Sequence, residues 1–381
     1  MSTIVHSASL IDGGTRTDAA WVRFADGRVA EHGTGSTWRH APADTVVDAA
    51  ELAGPGAILS PGFVDIHGHG GGGFAFDDGA DAIRAARALH RRHGTTSAVV
   101  SLVTAPMEDL VRRTRLIAEL TRADGDILGS HLEGPFLDPG HRGAHDPAAL
   151  ASPVVVDALL AAGEGTVRQI TIAPELPGAF DAIRELTAAG AVAAIGHTGA
   201  DAALTAAAFD AGARILTHVF NAMPGLHHRA PGPAGAALTD ERVTVELIAD
   251  GVHVHPELVR IAFAAAPGRI ALVSDAMAAT GVGDGRYTLG GLDVEVSGGV
   301  ARLADGGAIA GSTLTQDQAV RTAVAAGVGL ADALRAVTAT PAQAIGAPEV
   351  GHLRPGARAD AVLLDADLTV RAVWAAGAPV P

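Results

Sequence analysis

The chain contains no cysteine and no lysine. Without cysteine there is no disulfide, no thiolate ligand and no sulfur nucleophile, so any metal must be held by His, Asp or Glu. All 27 basic residues are arginine, set against 42 acidic ones, and the net charge of −15 argues against nucleic acid and anionic membrane as partners. A small anionic substrate stays open, because a few local cations can bind it. No apolar run reaches the roughly 18 residues a membrane span needs, and the start, MSTIVHSASLIDGG, lacks a basic segment followed by an apolar core. A soluble, cytoplasmic protein is expected. Its 381 residues suffice for one large α/β domain with an appendage.

From about residue 57 a short β-branched run, a loop and often an alanine-rich helical pattern follow one another repeatedly. The eight runs are 62–67, 96–104, 126–133, 167–175, 191–197, 214–220, 243–250 and 269–276. Helical patterns at 81–94, 107–120 and 201–212 fall between them. Serial βα units in this number predict a closed (β/α)8 TIM-like barrel, with near-continuous apolar strands buried on both faces. An open doubly wound sheet is the alternative, but no G-x-G-x-x-G marks a first strand-helix turn.

The ends differ. Residues 1–56 and 350–381 carry short alternating runs and turn signals, each too short to stand alone. They are expected to pair into one small β-sandwich domain, with the barrel, 57–349, inserted between its halves. Residues 286–304 predict a β-hairpin beside the eighth strand.

The C-terminal ends of barrel strands carry the active site in folds of this kind. There the sequence places His67 and His69, then His131 and Glu133, then His197, His218 and Asp275. In FVDIHGHG, strand alternation points His67 and His69 the same way, and the glycines let the chain turn beyond them. Taken singly, His131 could cap a loop, Glu133 could pair with an arginine and Asp275 could cap a helix. Gathered at one rim, they form a cysteine-free site suited to Zn²⁺, with Fe²⁺, Co²⁺ and Mn²⁺ as rivals.

The motifs PGFVDIHGHG, HLEGPF (131–136), IGHT (195–198), THVFNAM (217–223), DGVH (250–253) and VSDAM (273–277) resemble, in order, those of the amidohydrolase superfamily, and within it of the N-acetylglucosamine-6-phosphate deacetylase family. The resemblance implies metal-dependent hydrolysis of an N-acetylated amino-sugar phosphate. It implies Glu133, His197 and His218 as the principal ligands and Asp275 as the catalytic acid/base. A second ion would be held by His67, His69 and a bridging Glu133, so one or two ions per subunit are expected. Substrate contacts are implied for Ala144, His145, Asn221, Ala222, Arg229, His253, Ile309 and Ala310, with Arg229 reaching the sugar phosphate of a neighbouring subunit in a homodimer. Dihydroorotase-like amidases and amino-acid deacylases are rivals. They often bridge two metals with a carboxylated lysine, which this chain cannot supply. A non-catalytic barrel should have lost ligands or Asp275, and none is missing.

Overall fold

A computed structural model describes residues 2–381. Each of the eight runs contributes one parallel strand: β1 (Phe63–Asp65), β2 (Thr95–Val103), β3 (Ile127–Glu133), β4 (Val167–Ile172), β5 (Val192–Ile195), β6 (Ile215–Leu216), β7 (Thr244–Leu247) and β8 (Ile270–Leu272). Their order in the sheet is the order in the chain. Every residue of β2 and β3 is buried, as expected where helices cover one face and barrel contents the other. The helix Ala80–Arg92 shows how a covering element is specified: Ile83, Ala86 and Leu89 recur every three residues and turn one stripe inward, while Asp81 and Arg84 face out. Asp201 starts the helix Ala202–Ala211 by accepting a hydrogen bond from the Leu204 N–H.

The sheet ladder does not run directly from β8 to β1. Closure is made just beyond both strands, where Asp275 N–H donates to the His67 carbonyl at 2.9 Å and His69 N–H donates to the Ala276 carbonyl at 2.8 Å. Ser274 Oγ–H adds a bond to the buried Asp65 carboxylate. The segments that shut the barrel are therefore the segments that carry candidate site residues.

The terminal pieces form one mixed sheet: Ser2–Asp12, Thr15–Ala25, Arg28–Thr34, Thr45–Asp48 and Ile58–Pro61 from the front, with Ala361–Leu364, Val370–Ala375 and Ala378–Pro379 from the back. It wraps a core of its own that includes Val5, Val22, Phe24, Leu59, Leu363 and Trp374. Ile58–Pro61, which the sequence pattern assigns to the barrel segment, is the joint: it pairs parallel with Ser9–Leu10 and antiparallel with Ala361–Leu364.

The expected hairpin near β8 is a three-stranded meander, Gly285–Leu289, Leu292–Ser297 and Val300–Leu303. Two Gly-Gly pairs explain the extra strand. Gly290 and Gly291 (φ 56° and 83°) and Gly298 and Gly299 (φ 58° and 77°) give two tight turns with both central residues left-handed. The meander packs Leu289, Val294 and Val296 against Val103 and Met277, over the C-terminal rim. Among the described residues no helix is long and apolar enough to cross a membrane.

Gly62 links the two bodies. Its N–H bonds the Asp360 carbonyl at 2.8 Å, and a Cβ there would fall 2.1 Å from Thr96 Oγ1 and 2.8 Å from Asp360 Cβ. Gly62→Ala is expected to lower stability by about 1–3 kcal/mol through overpacking. Gly125→Ala, where a Cβ meets nothing within 4 Å, is the control and should leave the unfolding midpoint nearly unchanged.

Candidate metal centre

At the C-terminal rim the backbone departs from strand geometry. His197 and His218 each lie two residues past the end of a strand, Asp275 three past, and all three adopt left-handed φ (49°, 25° and 47°). Such conformations are unfavourable for side chains with a Cβ and persist where surrounding structure imposes them. They also explain why β6 is only two residues long although the apolar run extends to Phe220, itself at φ 77°.

Two groups of ligand-type atoms result, His67, His69, Glu133 and Asp275, and Glu133, His197 and His218, with Glu133 common to both. In the second group, Glu133 Oε1 lies 3.0 Å from His197 Nε2 and 2.9 Å from His218 Nε2, which are 3.0 Å from each other. In the first, His69 Nε2 is 3.1 Å from Glu133 Oε2 and 3.4 Å from Asp275 Oδ1, and His67 Nε2 is 3.3 Å from Glu133 Oε1. Ligands about 2.0–2.1 Å from a tetrahedral ion are separated by roughly 3.4 Å, close to these spacings.

Tautomers sharpen the fit. His197 Nδ1–H donates to the His141 carbonyl at 2.9 Å, so a neutral His197 aims the lone pair of Nε2 at Glu133. Two lone pairs at that separation repel unless a proton or a cation lies between them. Protons can fill the role. Glu133, despite burial, is held well below the ordinary carboxylate range by His67 and His145. Burial depresses the His67 imidazolium, but Glu133 and Glu246 override it and hold the group well above its ordinary value. His69, similarly buried, is raised to about 9 by Asp275 and Glu133. Burial pushes Asp275 up, yet the His69 hydrogen bond brings it below its ordinary value, so it is ionised at neutral pH.

The two groups open on a cavity of about 270 Å³ whose wall includes Ala144, His145, Asn221, Ala222, His253 and Ile309. His145 Nδ1 is 2.8 Å from Thr104 Oγ1 while Nε2 is 3.3 Å from Glu133 Oε2. His253 bonds the Asp250 carboxylate through Nδ1 at 2.7 Å, which leaves Nε2 free; burial disfavours its charge, but Asp250 raises its pKa overall. Three expected positions stand apart. Ala310 is fully buried in the meander core, Arg229 is exposed in the loop 225–231, and His131 is satisfied by Ser101 Oγ and Thr171 Oγ1, each at 2.9 Å.

Sequence reasoning missed Glu246. Wholly buried in β7, it is 3.0 Å from His67 Nδ1 and 2.8 Å from Gln169 Nε2. The signal was available as an acid inside the apolar run VTVELIAD. Thr104, which holds His145, and the His141 carbonyl, which orients His197, carried no such signal.

The profile of the amidohydrolase family matches residues 58–380. The chain is 43% identical to an N-acetylgalactosamine-6-phosphate deacetylase of Escherichia coli O157:H7, covering 84% of this chain and 87% of that one. It is 39% identical to the human N-acetylglucosamine-6-phosphate deacetylase, over 84% and 83% respectively. Among solved structures, an alanine-substituted variant of Mycobacterium smegmatis N-acetyl-D-glucosamine-6-phosphate deacetylase, in complex with N-acetyl-D-glucosamine-6-phosphate, superposes with a TM-score of 0.93 at 46% identity, covering 100% of this chain and 99% of that one.

Glu133→Gln is expected to strip most bound metal, because Glu133 belongs to both ligand groups. His67→Asn should remove only an ion that depends on the first group, read as a fall in metal per chain by elemental analysis. Since an ion binds neutral imidazole and His69 titrates near 9, loading at pH 7 should release protons, and affinity should fall as pH is lowered. Proton release measured in weakly buffered metal titrations checks the sign.

Proposed function

The chain belongs to the amidohydrolase family, and from that membership we propose that it hydrolyses N-acetylglucosamine 6-phosphate to glucosamine 6-phosphate and acetate. The observation that carries the reading is the pair of ligand groups sharing Glu133, set with Asp275 on the wall of one cavity. The cofactor is a divalent metal, and the imidazole-carboxylate donor set favours Zn²⁺ over Fe²⁺, Co²⁺ or Mn²⁺. The protein works in the cytoplasm, where amino sugars are catabolised or recycled from the cell wall.

A bound ion supplies Lewis acidity and a lowered pKa for water. The chain supplies the rest. Asp275, whose Oδ1 lies 3.4 Å from His69 Nε2, takes a proton from the attacking water as a carboxylate and returns it to the sugar nitrogen, so that the C–N bond breaks with a neutral amine leaving. His253, held by Asp250, offers its free Nε2 to the substrate, and His145 is fixed by Thr104 beside Glu133. Ala144, Asn221, Ala222 and Ile309 shape the cavity around ring and acetyl group.

No arginine among the described residues lines that cavity. The phosphate is therefore read at its mouth, by Arg229 of a neighbouring subunit in a homodimer. The loop that carries Arg229 is exposed and bounded by Pro224 and Pro231, a stiff presentation for a cation.

The deciding assay is acetate release from N-acetylglucosamine 6-phosphate, from its unphosphorylated form and from N-acetylgalactosamine 6-phosphate, the last because of the likeness to the galactosamine enzyme. No release from any of them by metal-loaded protein ends the proposal. Asp275→Asn should keep its substrate affinity and any ion held by Glu133, His197 and His218, the group to which Asp275 does not belong, while turnover falls about 10²- to 10⁴-fold. A fall under tenfold moves the base elsewhere. Arg229→Ala should cost about 2–4 kcal/mol in kcat/KM on the phosphorylated sugar and little on the unphosphorylated one. Mixing Arg229→Ala with Asp275→Asn dimers under subunit exchange should restore some activity, because one hybrid site receives both intact residues.

A further inference from the structure

Glu246 is a carboxylate placed where an apolar side chain would be expected. It sits in β7 between Val245 and Leu247, with no exposed surface. Burying a carboxylate is costly unless each lone pair finds a donor, so its partners indicate what it does there. Oε2 lies 3.0 Å from His67 Nδ1 and 3.4 Å from the backbone nitrogen of His218, and Oε1 accepts from Gln169 Nε2 at 2.8 Å. One carboxylate thus touches a side chain of the first ligand group and the backbone of the second.

The consequence for His67 is specific. A carboxylate only accepts, so the neutral ring must donate from Nδ1, and Nε2 is left as the lone-pair nitrogen. That nitrogen is the one 3.3 Å from Glu133 Oε1 and 3.3 Å from His69 Nε2. By contrast, His69 Nδ1 and His218 Nδ1 are buried without a partner, so His67 is the member of the first group whose orientation is fixed by a charge. Gln169, on β4, in turn fixes the carboxylate, so the chain Gln169, Glu246, His67 crosses the barrel interior from β4 through β7 to β1.

We propose that Glu246 is a positioning residue that makes His67 a metal ligand, and so determines whether the His67, His69, Glu133, Asp275 group holds an ion of its own. The inference rests on the metal-dependent reading of the site. Its readout is metal binding rather than turnover, so a protein that binds no metal fails that reading, whereas a protein that binds metal independently of Glu246 fails only this one.

The test is Zn²⁺ titration of the full chain against a competing chelator, for wild type, Glu246→Gln, His67→Asn and the double variant. Glu246→Gln keeps the shape and an acceptor for Nδ1 but removes the charge. It should weaken one ion about 10- to 100-fold, the range for outer-shell partners of a metal-bound histidine. The other ion should hold within about threefold. In the His67→Asn background the Glu246 substitution should have no further effect on metal affinity, a non-additivity that general loosening of the fold would not produce. Gln169→Met, which leaves the carboxylate on His67 but frees its far side, should weaken the same ion by a smaller factor. It also serves if Glu246→Gln folds poorly. Wild-type affinities and stoichiometry in every variant that folds overturn the proposal, as do losses from Glu246→Gln that persist undiminished without His67.

Discussion

Both oxygens of Glu133 lie within 3.3 Å of imidazole nitrogens, and those nitrogens belong to His67, His69, His145, His197 and His218. In water each group would be solvated separately. Here all of them are buried, and burial of so many lone pairs around one carboxylate is tolerable only with positive charge among them. Protons on His67 and His69, both held above their ordinary range by neighbouring carboxylates, provide it in the absence of a cation, and a divalent ion provides it in the proposed working state. The chemistry follows from that requirement: a rim that demands cationic charge is one where a metal and an ionised Asp275 can sit side by side.

The barrel meets the demand through its seam. Parallel strands deliver side chains to one end, but the regular ladder stops short of joining β8 to β1. The bonds that complete it run through the carbonyls of His67 and Ala276 and the amides of His69 and Asp275. Two candidate ligands and the candidate base are thereby fixed to one another through the main chain before any ion enters. On the other side of Glu133, left-handed backbone at His197 and His218 turns the imidazoles inward, and the neighbouring loop grips His197 twice, at Nδ1 through the His141 carbonyl and at its own carbonyl through the Asp138 amide. Such strain is sustained because the packed barrel over-determines these positions.

This division explains what could be read from sequence. Strand number and order were legible because fully buried parallel strands leave continuous apolar runs, and the candidate ligands stood out because histidine is conspicuous where such a run ends. The third strand of the meander is harder to read although the Gly-Gly signal occurs twice, since either pair alone suffices for a hairpin. The role of Ile58–Pro61 was not legible, because a short apolar strand reads the same whether it enters a barrel or a terminal sheet. Partners that act through the backbone, such as the His141 carbonyl, have no side-chain signature at all. Glu246 differs: its isolation in an apolar strand was visible, but only the structure shows that His67 lies opposite it.

Charge sets the remaining constraint. A protein of net charge −15 repels an anionic sugar phosphate at long range, and salt confines that repulsion to about 8–10 Å. Recognition must therefore come from short contacts. The cavity wall offers imidazoles, an amide and apolar side chains, which suit a sugar ring and an acetyl group, but no guanidinium for the phosphate. A solvated surface arginine such as Arg229 binds an anion weakly by itself. Covered by a second subunit, the same guanidinium loses competing water and can form charge-assisted, bidentate hydrogen bonds. In the proposed homodimer, assembly and phosphate recognition are then a single event, and the metal centre can keep its local charge balance without a cation placed beside it for the substrate.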